Sequence, residues 1–298
     1  MSTENENVQI YPARIRIVPN SKLVKNVCNL SGAAYDRAIN GTERKIVETR
    51  NHKKFGKVKT PYKLSNNGDN TEPLDEFDRA VLSVCVSEME AGNRYTTPSI
   101  IFRGLTGKIG RGDAEPSANQ RAAIMTSLLK LMGTLIWIDD EDTNEKLKYE
   151  STDVSRKWRN ILYAKIDEKT INGQDATVVY FICESPLWTI ADARNQVIRY
   201  DASLLDVPHQ QNTRMNIVLK NYTMNRVMEI KLHKQLAPTL TFADIFEKTR
   251  ITNASRKTKM DARNAVKTFF DHLQAKGVIT TFTIIKKGAS DHAVTFTY

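Results

Sequence analysis

The chain has 298 residues, 40% apolar and 26% charged, with 44 Lys and Arg against 34 Asp and Glu for a net charge of +10. That length allows two ordinary domains with real cores, and the composition is that of a globular protein rather than a fibrous or low-complexity one. No apolar run approaches the roughly 20 residues a membrane helix needs, and the polar, acidic start (residues 2–7) is unlike a signal peptide, so no membrane association is expected and the cytoplasm is the expected compartment.

Basic charge is unevenly placed. Residues 14–63 hold 13 Lys and Arg against 3 Asp and Glu, and residues 251–298 hold 8 against 3, so the remainder is acidic. Concentrated cations at the two ends are the footprint expected for a polyanionic partner.

In chain order, residues 1–70 lack sustained periodicity and read as a basic, partly flexible N-terminal arm, with one candidate helix over 24–40. From Pro73 the character changes. Leu74, Phe77, Val81, Val84, Cys85 and Met89 recur at helical spacing. Thr97 and Pro98 make an N-cap with proline at the first helical position, opening a short helix. After a Gly-rich turn, Ser117 starts a third helix with Ile124, Leu128 and Leu131 on one stripe. Residues 134–138 then read as a strand and 139–142 as an acidic loop. Asn172 and Gly173, between two β-prone runs, mark a hairpin, and residues 196–200 are a candidate third strand of that sheet. Residues 205–212 are the expected boundary. Beyond it come a helix through Leu219, Tyr222, Val227 and Ile230, a short helix opened by Thr241 and Asp244, a long helix over 255–275, and a closing hairpin turning at Lys286, Lys287 and Gly288.

Part of this pattern is written twice. Thr97, Ile101, Phe102, then Arg121, Ile124, Thr126, Leu128 and Leu131 match Thr241, Ile245, Phe246, then Arg263, Val266, Thr268, Phe270 and Leu273. Three helices followed by a hairpin is the winged-helix plan, whose third helix enters the DNA major groove. The expected fold is therefore α+β: two tandem winged-helix domains, each of three helices plus a β-hairpin wing, with a basic N-terminal extension. The boundaries are 1–70 for the arm, 71–210 for the first winged-helix domain with an extended wing, and 211–298 for the second.

The last helix carries the clearest binding signal. Ala262, Val266, Phe269, Phe270 and Leu273 should be buried, while Arg256, Lys259, Arg263 and Lys267 form one basic stripe beside them. Lys257, Met260 and Asn264 project on the far side. Lys attracts phosphates, Arg can bind guanine bidentately and Asn can read adenine, so Arg256, Lys257 and Met260 are placed nearest the bases. Lys286 and Lys287 suit a wing tip on the backbone. The matching helix of the first unit offers Asn119, Gln120, Arg121, Ser127 and Lys130, with Arg103, Lys108 and Arg111 just before it; it fits either a second reading head or a subunit interface. Arg156, Lys157 and Arg159 are further candidates for phosphate contact.

Catalytic and cofactor readings fail on the residues. Gly104, Gly107 and Lys108 superficially resemble a phosphate loop but lack the upstream Gly and the following Ser or Thr. The five histidines are scattered with no His-x-His pair, and Cys28, Cys85 and Cys183 have neither zinc spacing nor a disulfide framework. No enzyme activity, metal or cofactor is expected.

The stretches 74–82, 95–98, 101–103 and 121–131, with the unit 212–298, resemble the iteron-binding plasmid replication initiators as a layout of elements. That resemblance covers roughly residues 71–298 and implies a non-catalytic initiator. Monomers would bind direct repeats of double-stranded DNA at an origin, help melt A·T-rich DNA and recruit host replication proteins, while a homodimer would repress the initiator's own gene. The alternative is a transcription or partition regulator with the same two domains and no initiation role. A third reading, from another class, is a module whose wings bind protein.

Overall fold

A computed structural model describes residues 12–30, 46–52, 56–66, 72–150, 152–171, 174–234, 236–288 and 290–298. In chain order its elements are β1 (Ile15–Pro19), α1 (Lys22–Val27), β2 (Ile46–His52), β3 (Gly56–Asn66), α2 (Glu76–Glu90), β4 (Tyr95–Thr96), α3 (Pro98–Thr106), α4 (Ala118–Gly133), β5 (Thr134–Ile138), α5 (Glu141–Leu147), β6 (Trp158–Asn160), β7 (Tyr163–Ile171), β8 (Gln174–Cys183), α6 (Pro186–Ala193) and β9 (Val197–Asp201). A 3-10 turn (Ala202–Leu205) leads to α7 (Arg214–Leu232), β10 (Thr239–Thr241), α8 (Phe242–Lys248), α9 (Arg256–Ala275), β11 (Thr281–Lys287) and β12 (Ser290–Thr297). The fold is mixed α and β, as expected.

Side-chain caps set the helix starts. The Asp75 carboxylate accepts from the Phe77 and Asp78 amides while the Asp78 carboxylate accepts from the Asp75 amide, a reciprocal box on α2. Ser117 and Gln120 do the same on α4. Thr97, Thr213, Thr241 and Ser255 cap α3, α7, α8 and α9 with their hydroxyls. Each satisfies an orphan amide that a buried helix end could not leave unpaired.

The two halves share one order: helix, short strand, helix, helix, hairpin. In each, the short strand pairs with the second strand of the hairpin, giving sheets ordered β4-β8-β7 and β10-β12-β11. The register is Tyr95 opposite Tyr180 in the first and Leu240 opposite Val294 in the second. β7 and β8 flank Asn172 and Gly173 as expected, the two turn residues themselves lying outside the described part.

Several expectations change. β5 does not join the hairpin of the first half; it lies between β3 and β6 in a separate sheet ordered β2-β3-β5-β6. Residues 134–162 are thus an insertion between the third helix and the hairpin. Much of the N-terminal segment expected as a flexible arm is built into the structure: β3 anchors that insertion, and α1 buries Leu23, Val24 and Val27. Long-range partners, invisible to local periodicity, supply the burial. The candidate helix over 24–40 is short here, α1 ending at Val27, and 31–45 lie outside the described residues. The acidic loop is the start of α5, whose Thr143 hydroxyl donates to the Lys59 carbonyl. β9 pairs with β1 rather than extending the hairpin sheet. Cys28 and Cys85 are buried free thiols, and Cys183 is a half-buried one.

Two cores result, one from Ile17 to Val218 and one from Val18 to Phe296, and α7 belongs to both through Ile217 and Val218 on one side and Leu219 and Tyr222 on the other. Between them runs β1. Its Arg16, 1% exposed, donates to the Ala80 carbonyl of α2 at 2.7 Å and to Asn221 Oδ1 of α7 at 3.2 Å. Asn221 in turn donates to the Leu105 carbonyl at 3.0 Å. Lys25 of α1 pairs with Glu229 of α7. These buried bonds fix register between the halves because a mismatch would strand charge away from water.

Lys220 on α7 is 1% exposed and donates to the Leu205 carbonyl at 2.8 Å and to Asn212 Oδ1 at 3.2 Å. Burial pulls its pKa down to about 8 from 10.5, only partly offset by Asp206. Between those values the unfolded chain holds a proton that the folded one has released, so the contribution of Lys220 to folding stability should rise with pH from about 8 to 10.5, opposed above about 9 by the Cys28 and Cys85 thiols, which burial keeps protonated. That contribution is on the order of 3 kcal/mol, read as the difference between urea melts of wild type and Lys220→Met across that range. The two should diverge as pH rises; a constant difference would show that Lys220 does not titrate there.

Candidate nucleic-acid interface

The interface is best built from α9 outward. Ala262, Val266, Phe269, Phe270 and Leu273 are buried as expected, with the Phe270 ring 5.5 Å from Phe282 and 5.7 Å from Phe296 on the hairpin. This packing turns the opposite side of the helix to solvent. Arg256, Lys257, Met260 and Asn264 are all exposed there, Met260 by 53%.

The first turn of α9 contains no acid and carries Arg256, Lys257 and Lys259. The partial positive charge of a helix N-terminus makes cations unfavourable there, by about 0.3–1 kcal/mol each when exposed. Three of them at one terminus are locally frustrated, and an anion such as a phosphate would relieve the repulsion. Lys286 and Lys287 lie exposed at the end of β11, where the register shifts after Ile285 and Gly288 (φ 62°) makes the turn.

The single basic stripe expected along α9 is divided. Arg256 is exposed, but Arg263 is half-buried with its guanidinium 5.1 Å from the Phe246 ring and 5.7 Å from the Phe242 ring of α8. Lys267 is ion-paired with Asp291 of β12 at 2.5 Å. The helix face beside the apolar stripe is the one against which α8 and the hairpin pack, so two of its cations, Arg263 and Lys267, meet protein groups. Lys259 and Arg263 line a cleft of about 510 Å³ between α8, α9 and the hairpin, together with Phe242, Lys287, Asp291 and His292. His292 had no sequence signal; only the alternation of β12 brings it there.

The first half is arranged differently. Arg103 donates to the Gly112 and Ala114 carbonyls and pairs with Glu115 at 2.6 Å, holding the connector between α3 and α4. Gln120 completes the cap of α4 and donates to the Asn212 carbonyl at 2.6 Å. Ser127 and Lys130, counted with the helix's outward polar residues, are buried instead; Lys130 pairs with Glu72 at 2.9 Å and with Asp78 at 3.6 Å. Asn119 and Arg121 stay exposed, Arg121 lying 3.9 Å from Glu115, and Lys108 is half-buried. Exposed apolar surface appears instead, Leu129 being 57% exposed. Arg156 pairs with Asp139 and Glu141, and Arg159 with Asp153, leaving Lys157 exposed.

Among the described residues no group of His, Cys, Asp and Glu could hold a metal ion, and no helix is long and apolar enough to cross a membrane.

No family model matches the chain, and no curated protein does. Among solved structures, it is similar to a crystal structure of domains 2 and 3 of RctB, with a TM-score of 0.43 and 9% identity over 86% of this chain and 92% of that one. A selenomethionine form of the same two domains gives 0.41 and 10%, over 92% of this chain and 98% of that one. It is also similar to a crystal structure of the Pi initiator protein in complex with iteron DNA, with a TM-score of 0.33 and 13% identity over 96% and 97%.

Proposed function

We propose that the chain binds double-stranded DNA sequence-specifically and acts, without catalysis, as a replication initiator at repeated origin sites. In this reading each helix–strand–helix–helix–hairpin run is a winged helix and α9 is the reading helix. The observation that carries it is the exposed row Arg256, Lys257, Met260 and Asn264 beside Lys286 and Lys287 at the hairpin tip. A cationic helix start and a cationic hairpin tip on one unit suit a groove and its flanking phosphates. α4 of the first unit, with Arg103 and Gln120 committed internally and Leu129 exposed, fits a contact between two copies better than a second reading head.

Mobility shifts with DNA flanking the gene test the binding. With six or more phosphates engaged, affinity should fall by about a thousandfold between roughly 50 and 200 mM salt; a shallow dependence would favour a protein partner instead. The initiator role is tested separately by transformation. The gene with its flanking DNA should maintain a marker plasmid, and failure with specific binding intact would leave the transcription or partition regulator.

A further inference from the structure

The insertion sheet carries a surface that the duplex reading does not use. Along β3, Val58, Thr60, Tyr62 and Leu64 are buried while Lys59, Pro61 and Lys63 alternate with them toward solvent; along β5, Leu135 and Trp137 take the outward positions. Trp158 of β6 stands directly opposite Trp137, and Lys63 of β3 opposite Trp137 on its other side. Directly opposed side chains on one face have Cβ atoms about 5 Å apart, so the two indoles are neighbours. Trp158 is 48% exposed, and the Lys63 ammonium sits 5.3 Å from the Trp137 ring centroid.

The charge around this pair is one-sided. Along the described part of β3 and along β5 and β6 the outward positions are Lys59, Pro61, Lys63, Ser65, Leu135, Trp137, Trp158 and Asn160, without a carboxylate. Lys157, next to Trp158, is exposed, and the neighbouring Asp139 and Glu141 are already paired with Arg156. A half-exposed tryptophan leaves a large apolar face in water. Cations without acids discourage a positively charged or neutral protein partner and favour a polyanion that also offers flat apolar rings.

We propose that the outer face of the β2-β3-β5-β6 sheet binds single-stranded nucleic acid, with a base stacking on Trp158 beside Trp137 and phosphates held by Lys59, Lys63 and Lys157. A duplex cannot use this platform, because its bases are stacked on one another; an unpaired strand can, and every base has a ring face to offer. The proposal is independent of the role given to α9, which lies in the other half of the chain.

The test is titration of the full chain with a short oligothymidylate, read by tryptophan fluorescence and by anisotropy of a labelled oligonucleotide. The third tryptophan, Trp188, is 3% exposed and should not be quenched. Wild type should bind with quenching. Trp158→Ala should weaken binding about tenfold, Lys63→Glu should weaken it and make its salt dependence shallower because fewer phosphates are neutralised, and Trp158→Phe should keep most of the affinity because a phenyl ring still stacks. Duplex binding through α9 should be unchanged in all three. An oligouridylate series compares the two sugars, and the same loss in Trp158→Ala with either polymer supports the site. Oligothymidylate affinity within about twofold of wild type in a folded Trp158→Ala chain would overturn the proposal. Equal affinity for an abasic strand would overturn it too, since charge alone would then explain binding.

Discussion

A chain carrying Arg256→Glu and Lys257→Glu together is expected to lose duplex binding by about thirtyfold or more, taking roughly 1–3 kcal/mol for each contact. Both side chains are exposed and belong to the first turn of α9, which has no acid of its own. Neither contributes to the buried stripe of Ala262, Val266, Phe269, Phe270 and Leu273, so the unit should still fold. Its stability should even rise slightly, because glutamates in a first helical turn suit the dipole that the native cations oppose. Binding and stability therefore move in opposite directions, which separates a lost contact from a misfolded protein. Unchanged affinity in filter binding at low salt would remove α9 as the reading helix. Arg263→Ala is a useful contrast: stacked against Phe242 and Phe246, it should reduce stability as well as binding.

The second large effect is expected at Gly107. This residue ends α3 in the left-handed region, with φ at 80°. A Cβ placed there would stand 2.3 Å from the Asp206 amide nitrogen, 2.7 Å from the Ala202 carbonyl oxygen and 2.7 Å from the Leu205 carbonyl carbon. All three are backbone atoms of the segment that joins the halves, so no rotamer change can make room. Gly107→Ala should cost roughly 2–5 kcal/mol, combining the left-handed penalty with overpacking. Gly92 supplies the control, having φ at 86° and nothing within 4 Å of its would-be Cβ. Gly92→Ala should show the conformational penalty alone, about 1–2 kcal/mol. If chemical denaturation gives the two variants equal losses, α3 is not docked on the 202–206 segment as described.

How much of this was legible beforehand depends on the range of the interactions. The repeated helices and both hairpins were written locally: caps at Thr97, Ser117, Thr241 and Ser255, apolar residues at helical spacing, and Asn172 with Gly173 between β-prone runs. The exposed face of α9 also followed, since burying Val266, Phe270 and Leu273 turns Met260 and Asn264 outward on any helix. The division of the basic stripe did not follow. Whether Arg263 and Lys267 meet phosphate or protein depends on Phe246 and Asp291, from elements packed against the helix.

The N-terminal segment shows the same division. Residues 12–66 carry little sustained apolar periodicity, yet β1 finds β9 about 180 residues away and β3 finds β5. Strand pairing is satisfied by distant backbone and leaves no local mark beyond β-propensity. By itself, the order of residues determined the repeated helices, their buried stripes, the duplicated plan and the cationic bias, because each arises from neighbours within a few positions. Only the tertiary structure decided which cations stay available, how Arg16 and Asn221 lock the halves together, and that Trp137 and Trp158 share one face, because those outcomes require segments far apart in the chain to meet.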